Sequence, residues 1–262
     1  MVCHEQVLNN MVSQITLDEK PTKLKIVIET KFKEKVWIQV RDANRKNTYY
    51  TKRYGYVDGT ETFVVLMPQA PREAVVMVFN DNNGMIKNDS SFKVKEIKAL
   101  PYRLPKYMFS KKTASFIKFA QEFSDECGYL SASPQGDVYM SNNGKFRIDY
   151  FTQIRNVNGV VLKTPARISQ VNGRIEVSAE QFRAMTIPMR MAILLHEYSH
   201  FYLNRNPSNE IEADLNGLNI YLKMGYPKID IYNVFLNVFK TAPSEPNKKR
   251  FEKLDTFVKN HK

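Results

Sequence analysis

The chain has 262 residues, enough for two domains of ordinary size to bury a core each, and 39 Lys and Arg against 27 Asp and Glu give a formal net charge of +12. The surplus of bases runs through both halves of the chain, so it marks no single basic tail or stripe and favours acidic partners without naming one. Two cysteines, one of them Cys3 near the start, argue against a disulfide framework. The opening MVCHEQVLNNMVSQ has no apolar core for a signal peptide. The longest apolar runs, 63–67 and 74–79, are strand-length and far short of the roughly 20 residues of a membrane span. The expectation is a chain of cytoplasmic type, made in a reducing compartment or packaged from one.

Residues 1–21 read as a separate N-terminal segment. From Lys23 to about Lys98 the chain is strand-like: LKIVIETKF, VWIQVRD, NTYYTKRYGYV, TFVVLM, AVVMVFND and SFKVKEIKAL are separated by turn residues such as Asp58-Gly59 and Asn82-Asn83-Gly84. Short strands repeated at this spacing predict an all-β, sandwich-like domain over 22–104. It carries no histidine and no glycine-rich phosphate loop, which suits a docking or binding module for a protein partner. Tyr49, Tyr50, Lys52, Arg53, Tyr54 and Tyr56 come nearest to a nucleic-acid pattern. An ordinary solvated sheet explains them better, and nucleic acid is not an expected partner. The stretch LPYRLPKY breaks the pattern and sets the boundary.

Residues 105–262 alternate strands and helices, which predicts an α+β domain. A helix is expected over 112–127, stopped by Gly128, and a hairpin over 137–151 around Asn142-Asn143-Gly144. Two short alternating strands flank Asn172-Gly173. Ser178 and Gln181 have the spacing of a capping box for a short helix through Met185, and Pro188 suits the first turn of the helix after it.

That next helix carries His196-Glu197-Tyr198-Ser199-His200. Side chains four apart on a helix are neighbours on one face, so His196 and His200 can share one metal ion, with Glu197 beside them as general base. Met189, Met191, Ala192, Ile193, Leu194, Leu195, Phe201 and Leu203 surround the motif with apolar residues. In such a buried setting two imidazoles and a carboxylate are costly unless a partner satisfies them. Asn204 to Ser208 then break the helix, and Asn209 with Glu212 forms a reciprocal capping pair for a second one, over 210–224, stopped by Gly225 and Pro227. Glu210 in its first turn can reach the metal, and Asp214 one turn on can accept the free N–H of a ligating histidine. Glu212 lies on another face and is expected to cap or face solvent.

HEYSH followed by NEIEADLNGLNIYLKMGYP resembles the gluzincin metallopeptidases, most closely the HtpX and CaaX-prenyl-protease group with its soluble relatives. The matching residues after the histidines are Glu210, Ala213, Asp214, Gly217, Gly225 and Tyr226. SEPNKKRFEKL resembles the closing segment of that family, with Glu245 in place of a histidine, Pro246 retained and Arg250 matching. The likeness covers roughly residues 165 to 255. It implies one zinc ion per chain held by His196, His200 and Glu210, with Glu197 as base and peptide hydrolysis as the reaction. The segment between His200 and Glu210 is far shorter than in the membrane-embedded members, which implies a compact soluble zincin.

Zincins present an edge strand before the metal helix, and Arg174, Ile175, Glu176 and Val177 are the expected edge for an extended peptide substrate. Tyr202, Tyr221 and Arg250 remain open as donors to the oxyanion. The functional expectation is a zinc-dependent peptidase. The alternative is a structural or interaction component of a larger assembly, such as a bacteriophage particle, in which the zincin domain is dormant or used once and the β-domain docks.

Overall fold

Alternation of apolar and polar residues with period two governs the first half of the chain. In the computed structural model, which describes residues 3–7, 10–80, 91–104, 106–241 and 244–261, the strands are β1 (Cys3–Val7), β2 (Asn10–Thr16), β3 (Thr22–Thr30), β4 (Glu34–Asp42), β5 (Tyr49–Val57), β6 (Thr60–Met67), β7 (Glu73–Asn80) and β8 (Phe92–Pro101). They form two antiparallel sheets, ordered β1-β2-β7-β4-β5 and β6-β3-β8. Leu24, Ile26 and Ile28 of β3, Val36, Ile38 and Val40 of β4, and Ala74, Val76 and Val78 of β7 are buried, while their neighbours in sequence are not fully so except Val75. One face of each sheet is thus apolar and covered, and the other meets solvent. The chain divides into two units, Met1–Pro105 and Lys106–Lys262.

The N-terminal segment is not separate from this sheet. β2 pairs with β7 from Asn10↔Phe79 to Thr16↔Glu73, and Met11, Ser13 and Ile15 alternate inward. A serine at the central inward position hides the alternation in the sequence. The turn at Asp58-Gly59, with Gly59 at φ +74, links β5 of one sheet to β6 of the other. The turn expected at Asn82-Asn83-Gly84 lies outside the described residues.

The second unit contains α1 (Lys111–Glu126), β9 (Asp137–Met140), β10 (Arg147–Phe151), β11 (Ala166–Ile168), β12 (Ile175–Ser178), α2 (Ala179–Ala184), α3 (Ile187–Tyr202), α4 (Glu210–Lys223), α5 (Lys228–Thr241) and α6 (Glu245–Asn260). Its sheet runs β11-β12-β10-β9, with β10 and β12 parallel and the other pairs antiparallel. The helix α3 is buried on nearly its whole circumference. Thr186 caps its N-terminus by accepting from the Met189 N–H, and Pro188 stands in its first turn. No helix among the described residues is long and apolar enough to cross a membrane.

Two local expectations give way here. The Ser178–Gln181 capping box is not made: Ser178 still belongs to β12, and the Gln181 side chain donates to the Thr164 carbonyl at 3.0 Å. Ile175, Glu176 and Val177 are not an edge, because β12 is held by β11 on one side and β10 on the other. Arg174 precedes β12, and its carbonyl accepts from the Ser169 N–H at 2.8 Å. The edge strands of this sheet are β11 and β9, and β11 is the one that packs beside α3.

Since every element around α3 named above lies within residues 106–262, that fragment expressed alone should give one cooperative thermal transition. A fragment that aggregates while the full chain remains monodisperse would show that the first unit covers part of this core.

Candidate metal centre

The site begins with an interhelical contact. A Cβ at Gly217 of α4 would lie 2.9 Å from the His196 backbone nitrogen and 3.0 Å from the Leu195 carbonyl carbon, so glycine lets the two helix backbones touch. That approach carries Glu210 and Asp214, one turn apart on α4, up to the two histidines of α3.

His196 Nε2 and His200 Nε2 stand 3.0 Å apart. Each is 3.5 Å from a different carboxylate oxygen of Glu210. Three donors bound to one zinc ion at its usual bond lengths and tetrahedral angles stand about 3.3 Å apart, so this set fits a single zinc-sized ion. His196, His200 and Glu210 form the group of potential ligands found among the described residues.

The supports of the ligands point the same way. His200 Nδ1 lies 2.6 Å from the Pro207 carbonyl, and donating there leaves Nε2 with a lone pair. His196 Nδ1 lies 2.8 Å from Asp214 Oδ1, close enough for an ion pair although not aligned as a hydrogen bond. Arg250 of α6 forks onto Asp214, from Nε to Oδ2 at 2.8 Å and from Nη2 to Oδ1 at 3.0 Å, and its Nη2 also meets Glu210 Oε2 at 3.0 Å. The fork fixes Asp214, which is buried, and restrains Glu210, whose side chain is half exposed.

This arrangement favours positive charge. Burial pulls His196 down, but Asp214 and Glu210 outweigh it and hold the imidazole up at about 10. His200 is pushed down, by burial first and then by the His196 charge. Glu210 is drawn down to about 2 by its contact with His196, against burial and with help from Arg250. Glu197 is buried and pushed up by that burial, with His196 and the nearby Ile168 backbone opposing.

A cleft of about 300 Å³ opens over these groups. One wall is β11 with its flanks, from Thr164 to Ile168 and Gln170, and the other includes Ala192 and Ile193 of α3 and Val234 and Phe235 of α5. The sequence patterns gave no sign of the α5 wall, since these are ordinary apolar residues of an amphipathic helix. Arg190, fully buried on α3, was also unforeseen: it donates to the Phe182 carbonyl of α2 at 2.8 Å and the Ser124 carbonyl of α1 at 2.7 Å, seating α3.

Glu212 stands apart from the ligands. Asn209 caps α4 by accepting from the Glu212 N–H at 3.0 Å, but the return bond is absent: Glu212 Oε1 accepts from the Arg205 N–H, and the Asn209 N–H goes to Asn206. Of the three oxyanion candidates, two are placed elsewhere. Tyr221 is fully buried, stacked on Tyr226, with its hydroxyl donating to the Pro227 carbonyl at 3.2 Å. Tyr202 stacks on Tyr198, and its hydroxyl reaches the space beside Gly173. Arg250 lines the cleft, but engaged with both carboxylates.

No family model matches the chain, and no curated protein matches it either.

The Gly217 contact predicts that Gly217→Ala destabilises the fold. Alanine gains about 1 kcal/mol of helix propensity, but its methyl would press on backbone that has no flexible end to yield, at a cost of about 1–3 kcal/mol. A lower thermal midpoint and weaker zinc retention are expected; a more stable protein would mean that the helices separate freely.

Metal uptake by the purified chain should reach about one zinc ion, with His196→Ala, His200→Ala or Glu210→Ala each releasing most of it, and Asp214→Ala weakening binding by about 10- to 100-fold. Because His196 is held protonated, a metal must displace that proton. Affinity in a chelator competition should therefore rise by about tenfold per pH unit between roughly pH 6 and 8. A flat profile would show that His196 gives up no proton.

Proposed function

We propose that the second unit is a zinc-dependent peptidase of zincin type, with His196, His200 and Glu210 holding the ion and Glu197 as general base. The observation that carries this reading is the convergence of two imidazole nitrogens 3.0 Å apart, each 3.5 Å from an oxygen of the Glu210 carboxylate, in a cleft that Glu197 also lines. When bound, zinc supplies a Lewis acid that polarises a carbonyl and acidifies water.

The residues of the chain do the rest. Glu197 takes a proton from the attacking water and delivers it to the leaving amine. Asp214 orients His196, the Pro207 carbonyl orients His200, and Arg250 holds the two carboxylates of α4 in place. Val234 and Phe235 give the cleft an apolar wall that excludes water from one side.

β11 is the strand placed to hold an extended peptide. The Pro165 carbonyl accepts from the Ser178 N–H, and the Ser169 N–H donates to the Arg174 carbonyl. By antiparallel alternation, Arg167 faces β12 as they do, and the backbone groups of Ala166 and Ile168 point to the free side. A peptide added there lies along the cleft, beside Glu197.

The test is Glu197→Gln. The variant should keep its zinc and its thermal midpoint while hydrolysis of a broad peptide library falls by at least about 100-fold. Loss of zinc in that variant would make Glu197 a ligand. A wild-type chain that binds zinc yet cleaves nothing in the library would favour the alternative, an assembly component whose zincin domain is dormant.

A further inference from the structure

The outward face of the five-stranded sheet concentrates aromatic and basic side chains that come from three strands. Cross-strand pairing sets Phe79 of β7 opposite Trp37 of β4, and Trp37 opposite Tyr54 of β5. Ring centroids are 6.2 Å apart for Trp37 and Phe79, 5.0 Å for Trp37 and Tyr54, and 6.4 Å for Tyr54 and Tyr56. Tyr54 is 53% exposed and Tyr56 63%. Such exposure of adjacent aromatics is unusual for a surface with no partner.

Lysines interleave with these rings. Lys35 Nζ lies 4.4 Å from the centroid of Tyr54 and 4.9 Å from that of Trp37, Lys33 Nζ is 5.7 Å from Tyr56, and Lys52 Nζ is 3.3 Å from Tyr49. Tyr50 and Arg53 belong to the other side: Tyr50 is buried, and Arg53 donates to the Val64 carbonyl of the facing sheet.

We propose that this face binds single-stranded nucleic acid, with bases against Tyr54, Tyr56 and Trp37 and phosphates at Lys33, Lys35 and Lys52. A ligand that meets π faces and cations together must carry planar rings and regular negative charge, and a nucleic acid strand has both. The rings sit farther apart than the about 3.4 Å step of a duplex strand, which suits bases that are unstacked. Trp37 and Phe79 are parallel within 6°, but Trp37 and Tyr54 are tilted by 56° and Tyr54 and Tyr56 by 89°. The two exposed tyrosines therefore extend no flat platform for a rigid acidic glycan, whereas the bases of a flexible strand turn independently. The face lies in the first unit and rests on none of the metal chemistry.

Trp37 is the only tryptophan of the chain, so its emission reports on this face alone. Titration of the full chain with a thymidine oligonucleotide of about 12 residues, and with the matching uridine oligomer, should quench that emission saturably with at least one of the two. Log affinity should fall with log salt at a slope of roughly −2, as three phosphates neutralised on a single strand require. Tyr54→Ala and Tyr56→Ala should each weaken binding by about tenfold. Lys33→Ala and Lys52→Ala, on exposed or half-exposed positions, should each reduce the salt slope by about 0.7 and provide the readout if a tyrosine variant does not fold. Absence of quenching with both oligomers overturns the proposal. So does duplex DNA binding as tightly as the single strand, or a sulfated glycan binding as tightly with no loss in Tyr54→Ala, which would make the face a site for another polyanion.

Discussion

The approach of α4 to α3 at Gly217 is the constraint on which the site depends. Glu210 and Asp214 are short side chains, and they reach the two imidazoles because no Cβ stands between the helix backbones. Glycine inside a helix costs about 1 kcal/mol relative to alanine, and a local rule broken in the middle of a buried element marks a position where something else gains. Here the gain is geometric: the same contact sets both the carboxylate that faces the Nε2 atoms and the one that faces Nδ1.

The charges then explain one another. Glu197, Glu210 and Asp214 converge on one cleft, and carboxylates removed from water need cations. Arg250 supplies one, in a fork across Asp214 and Glu210, and the proton held on His196 at about 10 supplies another. A raised histidine and a Glu210 drawn down to about 2 are the mark of a cage that selects positive charge. The proton on His196 and a metal ion would compete for the same place.

What could be read from the sequence was whatever repeats locally. Strict alternation in β3 and β4, the apolar run around His196, and the Asn209 and Gly225 boundaries of α4 each rest on a few neighbouring residues. The parallel pairing of β10 with β12 is non-local, so the hairpin at Asn172-Gly173 was legible but not which of its strands stays free. The tyrosines were a failure of helix phase. Tyr202 is two residues past His200, about 200° round the helix, and Tyr221 is seven past Asp214, on the same face but about 10 Å farther along. The aromatic and basic face of the five-stranded sheet was only partly legible for a third reason. It is interleaved across strands, so Trp37 and Phe79 join it only when the sheet is assembled, while Tyr50 and Arg53, adjacent in sequence, leave it.

The proposed base and the proposed substrate edge meet at Ile168. In the β11 register, the backbone N–H of Ile168 faces away from β12, and the Ile168 backbone lies close enough to the Glu197 carboxylate to oppose its upward shift. The carboxylate therefore stands at the rim where a peptide backbone would lie, and the Ala166 carbonyl on that side already accepts from the Thr164 hydroxyl at 2.7 Å, a bond that an added peptide would share or displace. Strand addition at that edge and orientation of the base use the same short piece of backbone. A shift of β11 by one residue would turn the Ile168 N–H toward β12 and remove both at once. Arg167 opposes such a slip: on β11 it bonds Glu176 of β12 at 2.6 Å, and Arg174 joins that carboxylate to Asp149 of β10. The ladder of charges across the sheet thus fixes the register on which the reading of the cleft depends.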